Sequence, residues 1–275
     1  MSVPYPSFES REVALAWERR AKVRAPLMAE ATKKMLAAAK IGPGSQVLDV
    51  GTGTGDVALL VAEQVRPGGY VLAIDASVQM VEQALAHVKK AGMDHVDVRV
   101  MDGSHLELDD ASFDAVVGRN AMQFLPGWPL PLGGLSRVLR PGGRLAFVVW
   151  ATKEENAFLH LPVSLAAERG WMRVPPGSLE SPYLLADQDA LLADLVAAGF
   201  VDTNVERIAA QAQFPEAEPL AAYLQQGPMF HANADQLSDE ERSAFETALL
   251  EAIERFRDGN SYRVPAVSLL ATGTR

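Results

Sequence analysis

The chain is 275 residues long, 48% hydrophobic and 22% charged, with a net charge of −10 and no cysteine. That is ample material for one large α/β domain with insertions, and it excludes a disordered polymer, a disulfide framework, a Cys-ligated metal centre and a thiol nucleophile. The acidic balance also argues against a nucleic-acid partner, which is gripped by many Lys and Arg contacts to phosphate. No apolar run approaches the roughly 20 residues of a spanning helix. The opening Met1-Ser2-Val3-Pro4-Tyr5-Pro6 lacks a basic segment followed by an apolar one, so the expectation is a cytoplasmic protein without a membrane span.

In chain order, apolar residues recur at helical spacing from about 10 to 40, with Pro26 expected to separate two helices. Ile41-Gly42-Pro43-Gly44 reads as a turn before a short buried strand, Val47 to Val50. Helix and strand then alternate: Asp56 to Val65 helix, Tyr70 to Ile74 strand, Ser77 to Ala91 helix, Val96 to Val100 and Phe113 to Val117 strands, Leu130 to Leu139 helix. Arg140-Pro141-Gly142-Gly143 is expected to turn sharply into a strand from Arg144 to Trp150. This rhythm implies a mostly parallel sheet with helices on both faces.

Beyond Trp150 the rhythm changes. Asn156 to Arg169 and Asp187 to Ala198 read as helices, the second closed by Gly199 in a left-handed cap. Strands are expected from Thr203 to Ala210 and Pro265 to Thr272, with a mainly helical segment, Pro215 to Arg257, between them. Ser238-Asp239-Glu240-Glu241 in that segment resembles a capping box. The division expected is 1–40 as helices covering a ligand site, 41–150 as a Rossmann-like core, and 151–275 as the rest of the sheet with lid insertions at about 151–200 and 214–262.

Chemistry concentrates where the first strand ends, in Val47-Leu48-Asp49-Val50-Gly51-Thr52-Gly53-Thr54-Gly55-Asp56. Glycines there let backbone approach a ligand and permit positive φ, and the helix that follows presents unpaired N–H groups. Such a turn is compatible with a purely structural role, or with a dinucleotide site of the G-x-G-x-x-A type. Three acids and a turn argue for something else. Asp49 sits at the strand end where it could hold a cationic amino-acid group, Asp75 follows the second strand where it could take two ribose hydroxyls, and Asp102 follows the third within reach of an adenine amino group. The Arg140-Pro141-Gly142-Gly143 turn completes the ordered set.

The set resembles the class I S-adenosylmethionine-dependent methyltransferases, in particular the metal-independent small-molecule branch that includes the ubiquinone and menaquinone C-methyltransferases. The resemblance covers residues 40 to 150 closely and implies seven strands with the last antiparallel. It implies that Asp49, Gly51, Thr52, Gly53 and Gly55 line the methionine and ribose portion of the cofactor, and that Asp75 binds the ribose with Ala76 and Met80 against the adenine. Asp102, Gly103 and Ser104 would frame the adenine edge, and Asn120 and Gln123, in Gly118-Arg119-Asn120-Ala121-Met122-Gln123-Phe124, would stand near the methyl group. Arg119-Asn120 is similar to an Arg-Asn pair of the quinone enzymes. No carboxylate follows the fourth strand and Asp109-Asp110 precede it, so no metal is expected.

The cofactor's sulfonium makes its methyl group electrophilic, which leaves alignment as the protein's main task. A base is needed only where the acceptor must lose a proton. The candidates for a catalytic group are His160, His231 and Arg119, with none singled out. His105 reads as a surface or capping residue, and His87 and His95 as solvated positions. Tyr5 and Trp17 are candidates to close the cofactor pocket. Trp171, Met172, Met229 and Phe230 suit either an apolar acceptor or the lid's own core. The expected function is methyl transfer from S-adenosylmethionine, leaving S-adenosylhomocysteine, to a carbon or oxygen of a small, partly apolar metabolite, by a monomer or homodimer. Binding of the cofactor without transfer, for a rearrangement or for regulation, is the alternative.

Overall fold

The computed structural model describes residues 11–275; of residues 11–26, only Leu15 and Ala25 have described side chains. A long helix α1 (Arg11–Ala38) leads into β1 (Gln46–Val50), α2 (Asp56–Val65), β2 (Tyr70–Asp75), α3 (Val78–Ala91), β3 (Val96–Val100), β4 (Phe113–Arg119), α4 (Pro131–Val138) and β5 (Leu139–Trp150). There follow α5 (Leu161–Glu168), α6 (Gln188–Ala197), β6 (Val201–Phe214), α7 (Ala217–Gln225), α8 (Pro228–His231), α9 (Asp239–Ile253), β7 (Arg257–Asp258) and β8 (Ser261–Thr274).

Helix boundaries follow their caps. Ser77 Oγ accepts from the Met80 N–H ahead of α3, and Asp187 accepts from Asp189 and Ala190 ahead of α6. Ser238 and Glu241 close the expected capping box on α9. Gly199 adopts φ +86° after α6, as its cap position requires.

The strand order is β3-β2-β1-β4-β5-β8-β6, with β7 paired to β8 as a short hairpin partner. β1 to β5 pair in parallel, and β8 runs antiparallel to β5 from Arg144↔Thr274 to Trp150↔Ser268. In β1, Val47, Leu48 and Val50 have no exposed surface, the continuous apolar run that a sheet covered by helices demands. The order reverses between β1 and β4. Brändén's rule places ligands in the crevice outside the carboxyl ends of the strands at such a switch point.

Two expectations need correction. α1 runs unbroken through Pro26. A proline in a helix interior loses one hydrogen bond and strains the turn before it, and the buried face Leu27, Met28, Ala31, Met35 and Leu36 anchors the later half. The Arg140-Pro141-Gly142-Gly143 turn lies inside β5 rather than ahead of it. Leu139 pairs with Phe113, then the register jumps so that Arg144 pairs with Ala115. The four residues form a bulge, stitched by Gly142 N–H to the Arg275 carbonyl and Arg275 N–H to the Gly143 carbonyl, each at 3.0 Å.

The chain forms two compact units. One holds Ala29–Ala151, Pro182–Ile208 and Ser268–Arg275, and so contains β1 to β5. Within it Phe200 lies against Gly273, where an added Cβ would come within 2.9 Å of the Phe200 Cβ. The other gathers Thr152–Ser181 and Ala209–Val267 with the start of α1. Its helices α5, α7, α8 and α9 pack on one another, around Phe230 stacked on Phe245 with ring centroids 4.6 Å apart. Met172, Met229 and Phe230 are buried in this unit's own core.

Asn156 fastens the start of that unit to β8. It has no exposed surface, donates Nδ2 to the Thr152 and Val267 carbonyls, and accepts the Val267 N–H at 2.9 Å. Asn156→Ala leaves buried backbone groups without partners and is expected to destabilise the protein by about 2–4 kcal/mol. Urea unfolding measures this, and a change within about 0.5 kcal/mol would show the bonds to be incidental.

Candidate functional site

Three glycines in five residues follow β1, with φ of +66°, +57° and +87° at Gly51, Gly53 and Gly55. An L-residue rarely adopts such angles. Space is equally restrictive. A Cβ on Gly51 would overlap that of Ala121, and one on Gly55 would lie 3.3 Å from the Ala84 Cα. A Cβ on Gly103 would come within 2.7 Å of Val50 Cγ1 and 3.0 Å of Leu125 Cδ2. These approaches draw together the segments leaving β1, β3 and β4, and α3 beside them.

Asp49, one residue before the end of β1, is almost wholly buried, at 1% exposure. Its Oδ2 accepts the Thr52 hydroxyl at 2.7 Å, while Oδ1 is buried with no partner. Burial, followed by the nearby charges of Asp56 and Asp75, pushes its carboxyl up to about 7, against the Thr52 hydrogen bond and the positive charge of Arg119. A buried acid with one empty oxygen is a receptor for a cation or a strong donor.

Asp75 ends β2 and holds the glycine turn. Its Oδ2 accepts the Gly53 N–H at 2.8 Å and its Oδ1 the Ser77 N–H at 2.9 Å. Burial raises its carboxyl, and the two N–H donors pull it back. Each oxygen keeps capacity for a further donor. Asp102 is exposed, and its Oδ1 accepts the Ser104 N–H and hydroxyl at 2.8 and 2.7 Å, shaping the loop that Gly103 presses against Val50. Ala76, just after β2, is exposed, and Met80 is buried in α3.

The segment after β4 enters through Asn120 at φ +55°, whose N–H donates to the Val148 carbonyl at 2.7 Å. The short 3-10 turn Met122–Phe124 then buries Gln123 to 2% exposure. Neither its Oε1 nor its Nε2 has a partner. An amide buried in this way costs about 1–3 kcal/mol until something bonds it.

Arg119 has little exposed surface and is fully engaged, pairing with Asp56 at the first turn of α2 and donating to Thr32 Oγ1 of α1 at 2.9 Å. Its position fastens two helices to the end of β4. His160 and His231 belong to the other compact unit. His160 is half-buried before α5, and burial, then the charges of Lys153 and Arg255, lower its imidazole to about 4. That leaves it neutral at pH 7 and a weak base. His231 is exposed at the end of α8. His105 is exposed as expected. Tyr5 lies outside the described residues, as does the side chain of Trp17.

Sequence reasoning placed His87 and His95 in solvent, and both are half-buried and bonded instead. His95 Nε2 lies 2.9 Å from the Ala62 carbonyl, and His87 Nδ1 lies 2.9 Å from the Thr54 carbonyl. Each partner lies 33 residues away on another element, beyond the reach of helical periodicity. Among the described residues no three His, Cys, Asp or Glu side chains gather as metal ligands, and no helix is long and apolar enough to cross a membrane.

A family model described as a methyltransferase domain matches residues 47–143. The nocamycin O-methyltransferase of Saccharothrix syringae is 38% identical over 103 residues, 38% of this chain and 37% of that one. The demethylmenaquinone methyltransferase of Listeria welshimeri is 29% identical over 143 residues, 52% of this chain and 57% of that one. The crystal structure of an S-adenosylmethionine-dependent methyltransferase from Aquifex aeolicus superposes with a TM-score of 0.54 at 25% identity, covering 70% of this chain and 89% of that one. The chain spans well under two thirds of the length of the curated relatives it matches.

Proposed function

We propose that this chain, whose residues 47–143 match a methyltransferase domain, is a class I S-adenosylmethionine-dependent enzyme that moves the cofactor's methyl group to a carbon or oxygen of a small, partly apolar metabolite. The observation that carries the reading is Asp49, a buried carboxylate with one unpartnered oxygen beside a turn too tight for any Cβ at Gly51. That cradle fits a ligand with a cationic amino-acid end and a ribose one strand away. In this assignment Asp49 holds the ammonium, Asp75 the ribose hydroxyls, and the Met80 and Gly103 segments the adenine, while Gln123 meets the methionine end. The nature of the acceptor is supported by similarity to a nocamycin O-methyltransferase and a demethylmenaquinone methyltransferase.

When bound, the sulfonium supplies an electrophilic methyl group. The chain's residues bind and orient. Asp49 and Asp75 fix the two polar ends of the cofactor, and the stiff turn between them sets the position of whatever lies along it. Orientation of this kind contributes up to about 7–11 kcal/mol of barrier lowering. The helical segments at about 151–200 and 214–262 are proposed as the acceptor-side lid. Neither contributes a strand to the β3-β2-β1-β4-β5 run, which leaves both free to vary with the acceptor.

The test is calorimetric titration with S-adenosylmethionine and, in parallel, NAD, followed by an acceptor screen for S-adenosylhomocysteine. Saturable binding of the sulfonium alone is expected, with product formed on at least one acceptor. Binding without product across a broad panel would favour a cofactor-binding protein that does not transfer the methyl group. NAD alone would refute the assignment. Asp75→Ala should weaken cofactor binding by about 1–3 kcal/mol, because it removes charge-assisted acceptors from both ribose and turn. Unchanged affinity in that titration would remove Asp75 from the ribose site.

A further inference from the structure

The three positive-φ glycines leave the cofactor turn without a conformational preference of its own. Its shape therefore depends on what neighbouring elements impose. On one side Asp75 of β2 accepts the Gly53 N–H. On the other, α3 presents Ala84, which a Gly55 Cβ would meet at 3.1 Å, and one turn later His87, whose Nδ1 lies 2.9 Å from the Thr54 carbonyl. A carbonyl only accepts, so this contact requires Nδ1 to carry its proton and donate it. Two peptide groups of the turn, 52–53 and 54–55, are thus held by side chains of different elements.

From this arrangement we propose that His87 is a positioning residue for the cofactor site, its imidazole fixing the Thr54 peptide and with it the glycine turn. The proposal rests on the methyltransferase reading above. In this role His87 acts through the Thr54 backbone and needs no contact with the ligand. Its contribution is to settle before binding a turn that the cofactor would otherwise have to order itself.

Two variants separate positioning from packing. His87→Phe keeps an aromatic ring and removes the donor. His87→Asn carries an amide N–H where the imidazole has Nδ1–H. In the full-length chain, His87→Phe should weaken S-adenosylmethionine binding about tenfold, the loss of one organising hydrogen bond. It should also speed amide hydrogen exchange across residues 51–56 in the ligand-free protein. His87→Asn should stay within about twofold of the parent on both counts. Unchanged affinity in the Phe variant, or an Asn variant as weak as Phe, would overturn the proposal. Should the Phe variant fail to fold, imidazole nitrogen NMR of the parent decides. The Nδ1–H tautomer at His87 supports the inference and the Nε2–H tautomer refutes it. A parent chain that does not bind the cofactor removes the functional reading, while exchange and tautomer still report whether His87 holds the turn.

Discussion

Adding one methyl group at residue 51 should sharply weaken cofactor binding. Gly51→Ala faces two penalties at once. Its φ of +66° is a left-handed conformation that an L-residue adopts at a cost of about 1 kcal/mol or more. Its Cβ would also overlap the Cβ of Ala121, which is fixed at the entry to the turn that buries Gln123. Neither atom is the tip of a flexible side chain, so backbone must move, and overpacking of this sort costs about 1–3 kcal/mol more. The displacement falls beside the Asp49–Thr52 pair and at the entry to the turn that buries Gln123, so affinity for S-adenosylmethionine should fall by about 100-fold, in line with that combined strain. Gly44→Ala is the control. Gly44 has φ +84° but nothing within 4 Å of an added Cβ, so the backbone strain is similar without the collision. Calorimetry should find its affinity unchanged. Equal losses in the two variants would mean that strain alone, and not the approach to Ala121, governs the site.

Removing the charge at Asp49 should separate stability from binding. Burial raises this carboxyl from 3.8 to about 7, so between those values the folded chain binds more proton than the unfolded one. Stability from this group is therefore complete below about pH 4 and is lost progressively as pH rises to about 7. Asp49→Asn abolishes that dependence, and the ligand-free variant should melt at least as high as the parent at pH 8, where the parent buries a charge. Binding should move the opposite way. An ammonium ligand prefers the ionised carboxylate, so parent affinity should rise with pH through about 7, and the Asn variant should bind weakly at every pH. Thermal melts and titrations from pH 5 to 9 check both halves. A variant that gains stability and keeps parental affinity would remove Asp49 from the ammonium site. One that loses stability at pH 8 would show that the empty oxygen is satisfied in the free protein.

Most of the sheet was legible because its strands are buried runs punctuated by glycine and proline. β1 to β4 and the two late strands lie where the sequence put them, and the capping box at Ser238 announced α9. Several missed features depend on partners that local periodicity does not register. Arg140 to Gly143 read as a turn because Pro and Gly signal one, yet the pairing of Leu139 with Phe113 carries the strand across it. β7 has two residues, too few for any period, and exists through its pairing with β8. The contacts of Arg119 were hidden because Asp56 and Thr32 stand 63 and 87 residues away. Asp49 was chosen for its place at a strand end. Its burial and its empty oxygen follow from packing that composition does not reveal.

The strand order has a consequence for how the chain is made. β8 lies between β5 and β6, although β6 precedes it in sequence. During synthesis β3, β2, β1, β4 and β5 can pair as each leaves the ribosome, but β6 emerges with no neighbour to join. It must wait until the segment from Phe214 to Ser261 and then β8 have followed, a delay on the order of several seconds at ordinary elongation rates. For that interval the growing sheet carries an open edge along β5, and β6 is a 14-residue strand without a mate. Such surfaces recruit other chains. Translational pauses or chaperone capture in this window should govern soluble yield more strongly than any change in the equilibrium stability of the finished fold.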